Sequence, residues 1–317
     1  MQIIITGGAG FLGQRLKDAL LDSDIAFDEL LLADITEPVD MSGDPRIKTR
    51  KVDITDASTA ESIISEDTRV VFHLAAVVSS QAETDFDLGW RVNVDATRNL
   101  LQRCRHARPG IRFIFASSLA VYGGKLPAVV DDTTAVTPQS SYGMEKAIGE
   151  LMVNDYSRRK FLDGCALRLP TICVRPGKPN QAASSFVSSI IREPLNGEDA
   201  VCPVSPNLPL WLSSPQTVIK NLLHAMSLNT NALGPCRTVN LPGIGVTVQQ
   251  MLQALERNVG DDIIRKIAFK EDPAIMRIVS SWPSHIDNGR ALDLGFQVDS
   301  SFDDFIQQYR TFQKQVR

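Results

Sequence analysis

Tyr142 and Lys146 stand four residues apart in Tyr142-Gly143-Met144-Glu145-Lys146, at the start of a stretch, Tyr142 to Arg159, whose pattern predicts a long helix. Residues four apart share one face of a helix, so the Lys146 ammonium is expected near the Tyr142 phenol. A free phenol has a pKa of about 10. A neighbouring positive charge favours the phenolate and lowers that value toward the working range. Such a phenolate can take the proton of a substrate hydroxyl, which is general-base chemistry. The pair also occurs by chance on many helices, so its weight comes from its company. Ser117-Ser118 is a second chemical element, at the end of a predicted strand, Arg112 to Ala116. A hydroxyl at the carboxyl end of a central strand can hydrogen-bond a substrate oxygen opposite the tyrosine. Strand-end serines also cap turns, and standing alone these two would be read that way.

The group that accepts the other half of the reaction is indicated by Thr6-Gly7-Gly8-Ala9-Gly10-Phe11-Leu12-Gly13. This run follows the apolar strand Ile3-Ile4-Ile5 and precedes Gln14 to Leu21, a predicted helix with Leu16, Leu20 and Leu21 on one face. Strand, glycine turn and helix form the context of a dinucleotide fingerprint. Glycines let the backbone approach a pyrophosphate, and the helix N-terminus offers unpaired N–H groups to it. Asp34 ends a second apolar strand, Leu30 to Ala33, about twenty residues past the turn. A carboxylate there accepts hydrogen bonds from the ribose hydroxyls of NAD and repels the extra phosphate of NADP. No Arg or Lys follows directly; Ile35, Thr36 and Glu37 do. A solvated strand-end acid is the alternative for Asp34. Asp53 and Ile54, at the end of a third predicted strand (Arg50 to Ile54), would flank the adenine, although a surface acid opening a loop explains Asp53 equally well.

The elements that must position these groups alternate. Val70 to Ala75 and Cys165 to Leu169 are further apolar strands, Asn93 to Cys104 is a further helix, and Thr55-Asp56-Ala57-Ser58 looks like a helix cap. Continuous apolar strands alternating with helices predict a parallel sheet covered on both faces, that is, a doubly wound α/β (Rossmann) fold. The later part changes character. Pro176, Pro179, Pro194, Pro203, Pro206 and Pro209 imply irregular connections before the helical patterns Gln216 to Ser227 and Thr247 to Val259. The expected organisation is an NAD-binding domain over 1–170 and a smaller C-terminal substrate lobe over 171–317, with a segment at about 211–230 returning to the first domain.

Composition narrows the function classes. The 317 residues allow one or two domains, and 43% apolar with 22% charged residues is ordinary for a globular protein. A net charge of −4 does not favour a nucleic-acid or anionic-membrane partner. No apolar run is long enough to cross a bilayer, and the first strand begins where a signal peptide would stand. Five scattered cysteines without a Cys-x-x-Cys pair suggest reduced, mostly buried thiols in a cytoplasmic protein. The four histidines lie far apart, so no metal site is expected. His73, inside a strand, is expected to be a satisfied core histidine. Asp131-Asp132 is expected to be a solvated surface pair, and Arg158-Arg159-Lys160 a solvated helix end.

Taken together, these pieces resemble the extended short-chain dehydrogenase/reductases of the NAD-dependent epimerase/dehydratase group. The resemblance rests on Thr6 to Gly13, His73-Leu74-Ala75-Ala76, Asn93-Val94, Ser117-Ser118 with Val121-Tyr122-Gly123, and Tyr142 with Lys146, in family order over about the first 175 residues. It implies Tyr142 as general base, Lys146 also on the nicotinamide ribose, Ser118 on the substrate oxygen and Ala75 beside the cofactor. In some relatives the serine at the position of Ser117 also contacts substrate. The resemblance further implies a homo-oligomer, a dimer or larger, paired through the helices starting near Asn93 and Tyr142. Leu210 to Val218 and Arg168 to Gly177 depart from the nucleotide-sugar branch and resemble a branch that oxidises a four-carbon sugar acid. A small acid needs a partner for its carboxylate. Arg175 is the candidate, with pairing to a surface acid as the alternative, and Ser79 and Ser80 are candidates for the polar groups of the substrate. Three functions compete: a sugar-acid dehydrogenase, a nucleotide-sugar epimerase or dehydratase with tightly bound NAD, and a non-catalytic NAD-binding protein. The complete Tyr142, Lys146 and Ser118 set speaks against the last.

Overall fold

The computed structural model describes residues 1–177 and 182–316, so Pro179 lies outside the described residues. The first half alternates as β1 (Gln2–Thr6), α1 (Phe11–Leu21), β2 (Glu29–Asp34), β3 (Ile47–Lys51), α2 (Ala57–Ile63) and β4 (Thr68–His73). It continues with α3 (Ser79–Thr84), α4 (Phe86–Gly89), α5 (Ala96–Ala107), β5 (Arg112–Ser118), α6 (Ser141–Arg158) and β6 (Asp163–Leu169). Then come β7 (Thr171–Ile172), α7 (Ser185–Leu195), β8 (Ala200–Cys202), β9 (Pro209–Ser213), α8 (Pro215–Ser227) and β10 (Thr238–Asn240). The chain ends with β11 (Ile244–Thr247), α9 (Val248–Val259), β12 (Ile267–Phe269), α10 (Pro273–Val279), α11 (Gly289–Asp293) and α12 (Phe302–Val316).

Seven strands form one sheet in the order β10-β6-β5-β4-β1-β2-β3, every neighbour parallel. This is the doubly wound order, and its direction reverses between β1 and β4, where a crevice opens beyond the carboxyl ends of the strands. Ile3, Ile4 and Ile5 are each completely buried because β1 is covered on both faces. Ile3, Ile5, Leu30, Leu32 and Phe72 pack against α1 and α8. Ile4, Leu31, Val71, Phe113 and Phe115 pack on the opposite face, against residues of α2, α5 and α6. A second core joins α7, α9 and α12 through Phe186, Ile190, Met251, Leu255, Phe305 and Ile306. Around it stand a three-stranded sheet, β11-β9-β7, and a two-stranded one, β12-β8.

Three sequence expectations need correction. The third strand occupies Ile47–Lys51, not 50–54, because it is the edge of the sheet: only Ile47 is buried and the next four residues face solvent, so no apolar run marks it. The fourth strand ends at His73, and Leu74 and Ala75 already belong to the loop that crosses the crevice. Asp132 is not a solvated acid. It accepts the Asn240 N–H at 3.3 Å and pairs with Arg290 at 3.4 Å, fastening the loop after β5 to β10 and α11. Asp131, by contrast, is an exposed turn acid held by Thr133 and Thr134.

Candidate active site

The crevice holds a cavity of about 340 Å³. Its floor is the glycine turn, and its walls come from the ends of β5 and β6, the start of α6 and the face of α7. Gly7, Gly10, Phe11, Leu12 and Gly13 all line it. The turn tolerates no side chains at two of these positions. Gly7 has φ +77°, and a Cβ there would stand 2.8 Å from the Ala75 nitrogen. A Cβ on Gly13 would stand 2.3 Å from the Gly7 carbonyl oxygen. Gly10 caps α1 without a side-chain hydrogen bond, so the first N–H groups of the helix have no intrahelical partner and face the cavity rim. Asp34 sits against this turn, accepting the Ala9 N–H on Oδ2 at 3.0 Å and the Thr36 N–H on Oδ1 at 3.1 Å.

Tyr142, Lys146 and Ser118 meet on the opposite wall. Ser140 caps α6 by accepting the Gly143 N–H, which starts the helix where Tyr142 faces the cavity. Ser118 Oγ accepts the Ala120 N–H at 3.2 Å and its hydroxyl bonds the Tyr142 phenol. Lys146 Nζ donates to the Ala116 carbonyl at 2.9 Å and lies 5.7 Å from the centre of the Tyr142 ring. Burial lowers the Lys146 ammonium to about 8, against the opposing pull of Glu145 and Glu150. The phenol differs from expectation. Burial pushes Tyr142 up to about 12; the Ser118 hydrogen bond and the charge of Arg175 act downward without offsetting it. The charge of Arg175, in the wall of the same cavity, bears on the phenol as well, from a segment outside its helix.

Arg175 lines the same cavity, stacked at 5.5 Å over the Phe11 ring. Among the described residues no carboxylate pairs with it. Ser79 is in the wall, and its Oγ accepts the Ala183 N–H at 3.4 Å. Ser117 also reaches the wall, but its hydroxyl donates to Glu150 at 2.5 Å, below the cavity. Ala75 stands behind Gly7, not in the wall. Ser80, Asp53 and Ile54 are not brought to the cavity. The Asp53 carboxylate turns back on the N–H and hydroxyl of Thr55, at 2.9 and 2.7 Å, and is exposed to solvent. His73 lies buried between Thr6 and Thr97, at 2.7 and 2.9 Å, and burial lowers it to about 3, a neutral core histidine.

The NAD dependent epimerase/dehydratase family matches residues 3–215. The chain belongs to this family. It is accordingly an NAD-dependent enzyme, and the tight glycine turn and uncapped α1 fit the pyrophosphate of that cofactor. This member of the family is 54% identical to the D-erythronate dehydrogenase of Haemophilus influenzae over 310 residues, covering 98% of each chain. It is 50% identical to that of Cupriavidus necator over 317 residues, again covering 98% of each. Among solved structures it resembles a nucleoside-diphosphate-sugar epimerase from Agrobacterium tumefaciens, with 39% identity, a TM-score of 0.93, and 97% and 92% of the two chains covered. In the described residues of this family member, no helix is long and apolar enough to cross a membrane.

Among the residues of the cavity wall that escaped the sequence reading are Ser188 and Arg192 of α7. Their spacing of four places them on one face of a helix, a signal present in the sequence but hidden by the prolines on both sides.

Proposed function

We propose that this protein is an NAD-dependent dehydrogenase that oxidises a small sugar acid, D-erythronate, at C2 to 2-dehydro-D-erythronate. The observation that carries this reading is that Tyr142, Ser118 and Arg175 share one small cavity beside the glycine turn. A base, a hydroxyl and a guanidinium without a carboxylate partner among the described residues are what a 2-hydroxy acid requires. The two D-erythronate dehydrogenases at about half identity support the same substrate.

NAD, when bound, supplies the acceptor for the hydride that leaves C2, and a positive ring charge. Tyr142 is the general base: its phenol oxygen receives the proton of the C2 hydroxyl. Ser118 donates to the same substrate oxygen and holds it against the phenol. Lys146 has donor capacity beyond its bond to Ala116, which would hold the nicotinamide ribose and would add positive potential near the phenol. Arg175 receives the carboxylate and places C2 toward the base. The exposed helix residues of α6, Leu151 among them, support a homo-oligomer, and the free cysteines support a cytoplasmic location.

The direct test is a screen of four- to six-carbon sugar acids with NAD, following NADH absorbance. D-erythronate is expected to give one NADH per molecule oxidised. Turnover of a nucleotide-sugar without net NADH, and of no sugar acid, would replace this reading with the epimerase one. Asp34 carries a second expectation. The wild-type protein is expected to prefer NAD strongly over NADP, and Asp34→Ala to narrow the preference by weakening NAD and relieving the repulsion of the extra phosphate. Equal use of both cofactors by the wild type would remove Asp34 from the ribose.

A further inference from the structure

α7 grips Arg175 from both sides of its peptide. Ser188 Oγ accepts the Arg175 N–H at 3.0 Å, and Arg192 Nη1 donates to the Arg175 carbonyl at 2.8 Å. Ser188 and Arg192 are one helical turn apart, both buried, and both line the active-site cavity. Arg192 does not offer its charge to that cavity. Its Nη2 is bound to Glu193 Oε1 at 2.5 Å, so the two side chains neutralise each other beneath the wall. Lys146 is turned to the Ala116 carbonyl and the Tyr142 ring. Of the three cations in the wall, Arg192 is paired with Glu193 and Lys146 is turned to the Ala116 carbonyl, so Arg175 is the guanidinium without a carboxylate partner among the described residues. Its backbone is fixed at both polar atoms, while its side chain rests on Phe11 of the cofactor turn.

We propose that Ser188 and Arg192 are positioning residues that hold Arg175 as a seat for a single carboxylate, so that the site selects monocarboxylic sugar acids over dicarboxylic ones of the same length. The inference rests on the reading of Arg175 as the carboxylate partner and extends it to residues that act through Arg175. The physical reason is twofold. A guanidinium fixed at its backbone loses less freedom on binding than one on a loose loop. A second carboxylate would find no second guanidinium to pair with, because Arg192 is held by Glu193 and the Lys146 ammonium is turned to the Ala116 carbonyl, so its desolvation would be poorly offset.

The test is steady-state kinetics of the full chain at saturating NAD with three substrates: the four-carbon sugar acid, its neutral polyol, and the dicarboxylic acid of the same length. For a substrate too slow to follow, its inhibition constant serves. The wild type is expected to favour the sugar acid over both others. Ser188→Ala, which removes one hydrogen bond, is expected to raise KM for the sugar acid about threefold to tenfold, leaving kcat, the KM for NAD and the polyol constants nearly unchanged. Arg192→Lys, which keeps a donor, is expected to show a smaller change of the same kind. In an Arg175→Ala background, Ser188→Ala is expected to change the acid-to-polyol ratio no further. Additive effects of the two changes, or a fall in kcat and polyol use in step with the acid, would mean a structural role only and would overturn the positioning. A wild type that uses the dicarboxylic acid as well as the monocarboxylic one would overturn the single-anion seat. An Arg175→Ala variant with an unchanged acid-to-polyol ratio would instead remove the underlying reading of Arg175. A changed ratio in that variant, with no effect of Ser188→Ala or Arg192→Lys, would overturn the clamp alone.

Discussion

Tyr142→Phe is expected to lower turnover of the sugar acid by about 10²–10⁴ while leaving NAD binding, measured by calorimetry, in place. The substitution removes one oxygen and keeps the ring, so the packing of Lys146 against that ring persists and the glycine turn is untouched. What is lost is the atom that receives the substrate proton. Because the phenolate is the competent form and burial pushes the phenol up to about 12, a larger fraction of the enzyme is active as pH rises. The wild-type rate of oxidation is therefore expected to climb between about pH 7 and pH 9, and the residual rate of Tyr142→Phe to stay flat. Lys146→Met is expected to damage both turnover and NAD affinity, because it removes a donor and a charge from the same wall. A Tyr142→Phe variant with near-normal turnover would exclude the phenol as the base.

The glycine turn was legible because its constraints are local. A positive φ at Gly7 and the 2.3 Å that any Cβ on Gly13 would leave to the Gly7 oxygen exclude other residues, and they leave a mark in the chain itself. The central strands were legible for the same reason: burial on both faces demands unbroken runs such as Ile3-Ile4-Ile5. β3 was misplaced because an edge strand with one buried residue carries no such run. β10 is three residues long and lies at the edge of the sheet beside β6, which is too short a pattern to register. The electrostatics of the site were less legible still. Helical spacing pointed to Lys146 as the charge acting on the phenol. The charge of Arg175 comes from the segment after β7, and no local spacing relates the two. Asp132 likewise looked like half of a surface pair because its partners, Asn240 and Arg290, are more than a hundred residues away.

Distance in the chain also hides the ion pair beneath the site, which carries the largest expected effect on stability. Arg168 of β6 and Glu150 of α6 form a two-pronged pair, with Nε to Oε1 at 2.8 Å and Nη2 to Oε2 at 2.7 Å, both side chains almost fully enclosed. The Ser117 hydroxyl donates to the same carboxylate, Arg168 donates to the Tyr122 hydroxyl, and that hydroxyl donates to Asn240 at 2.9 Å. The network thus ties α6, which carries Tyr142 and Lys146, to the sheet end that carries Ser118. Removing one partner leaves the other charge buried without compensation. Glu150→Ala is accordingly expected to destabilise the fold by about 3–5 kcal/mol in urea unfolding. Replacing both partners by apolar residues, Glu150→Leu with Arg168→Met, is expected to cost much less than the sum of the single changes, because no lone charge remains. In the double variant the Ser117 and Tyr122 hydroxyls lose a partner each, so some loss of stability is expected to persist. A Glu150→Ala variant within about 1 kcal/mol of the wild type would show that water reaches Arg168 and that the pair does not act as a buried one.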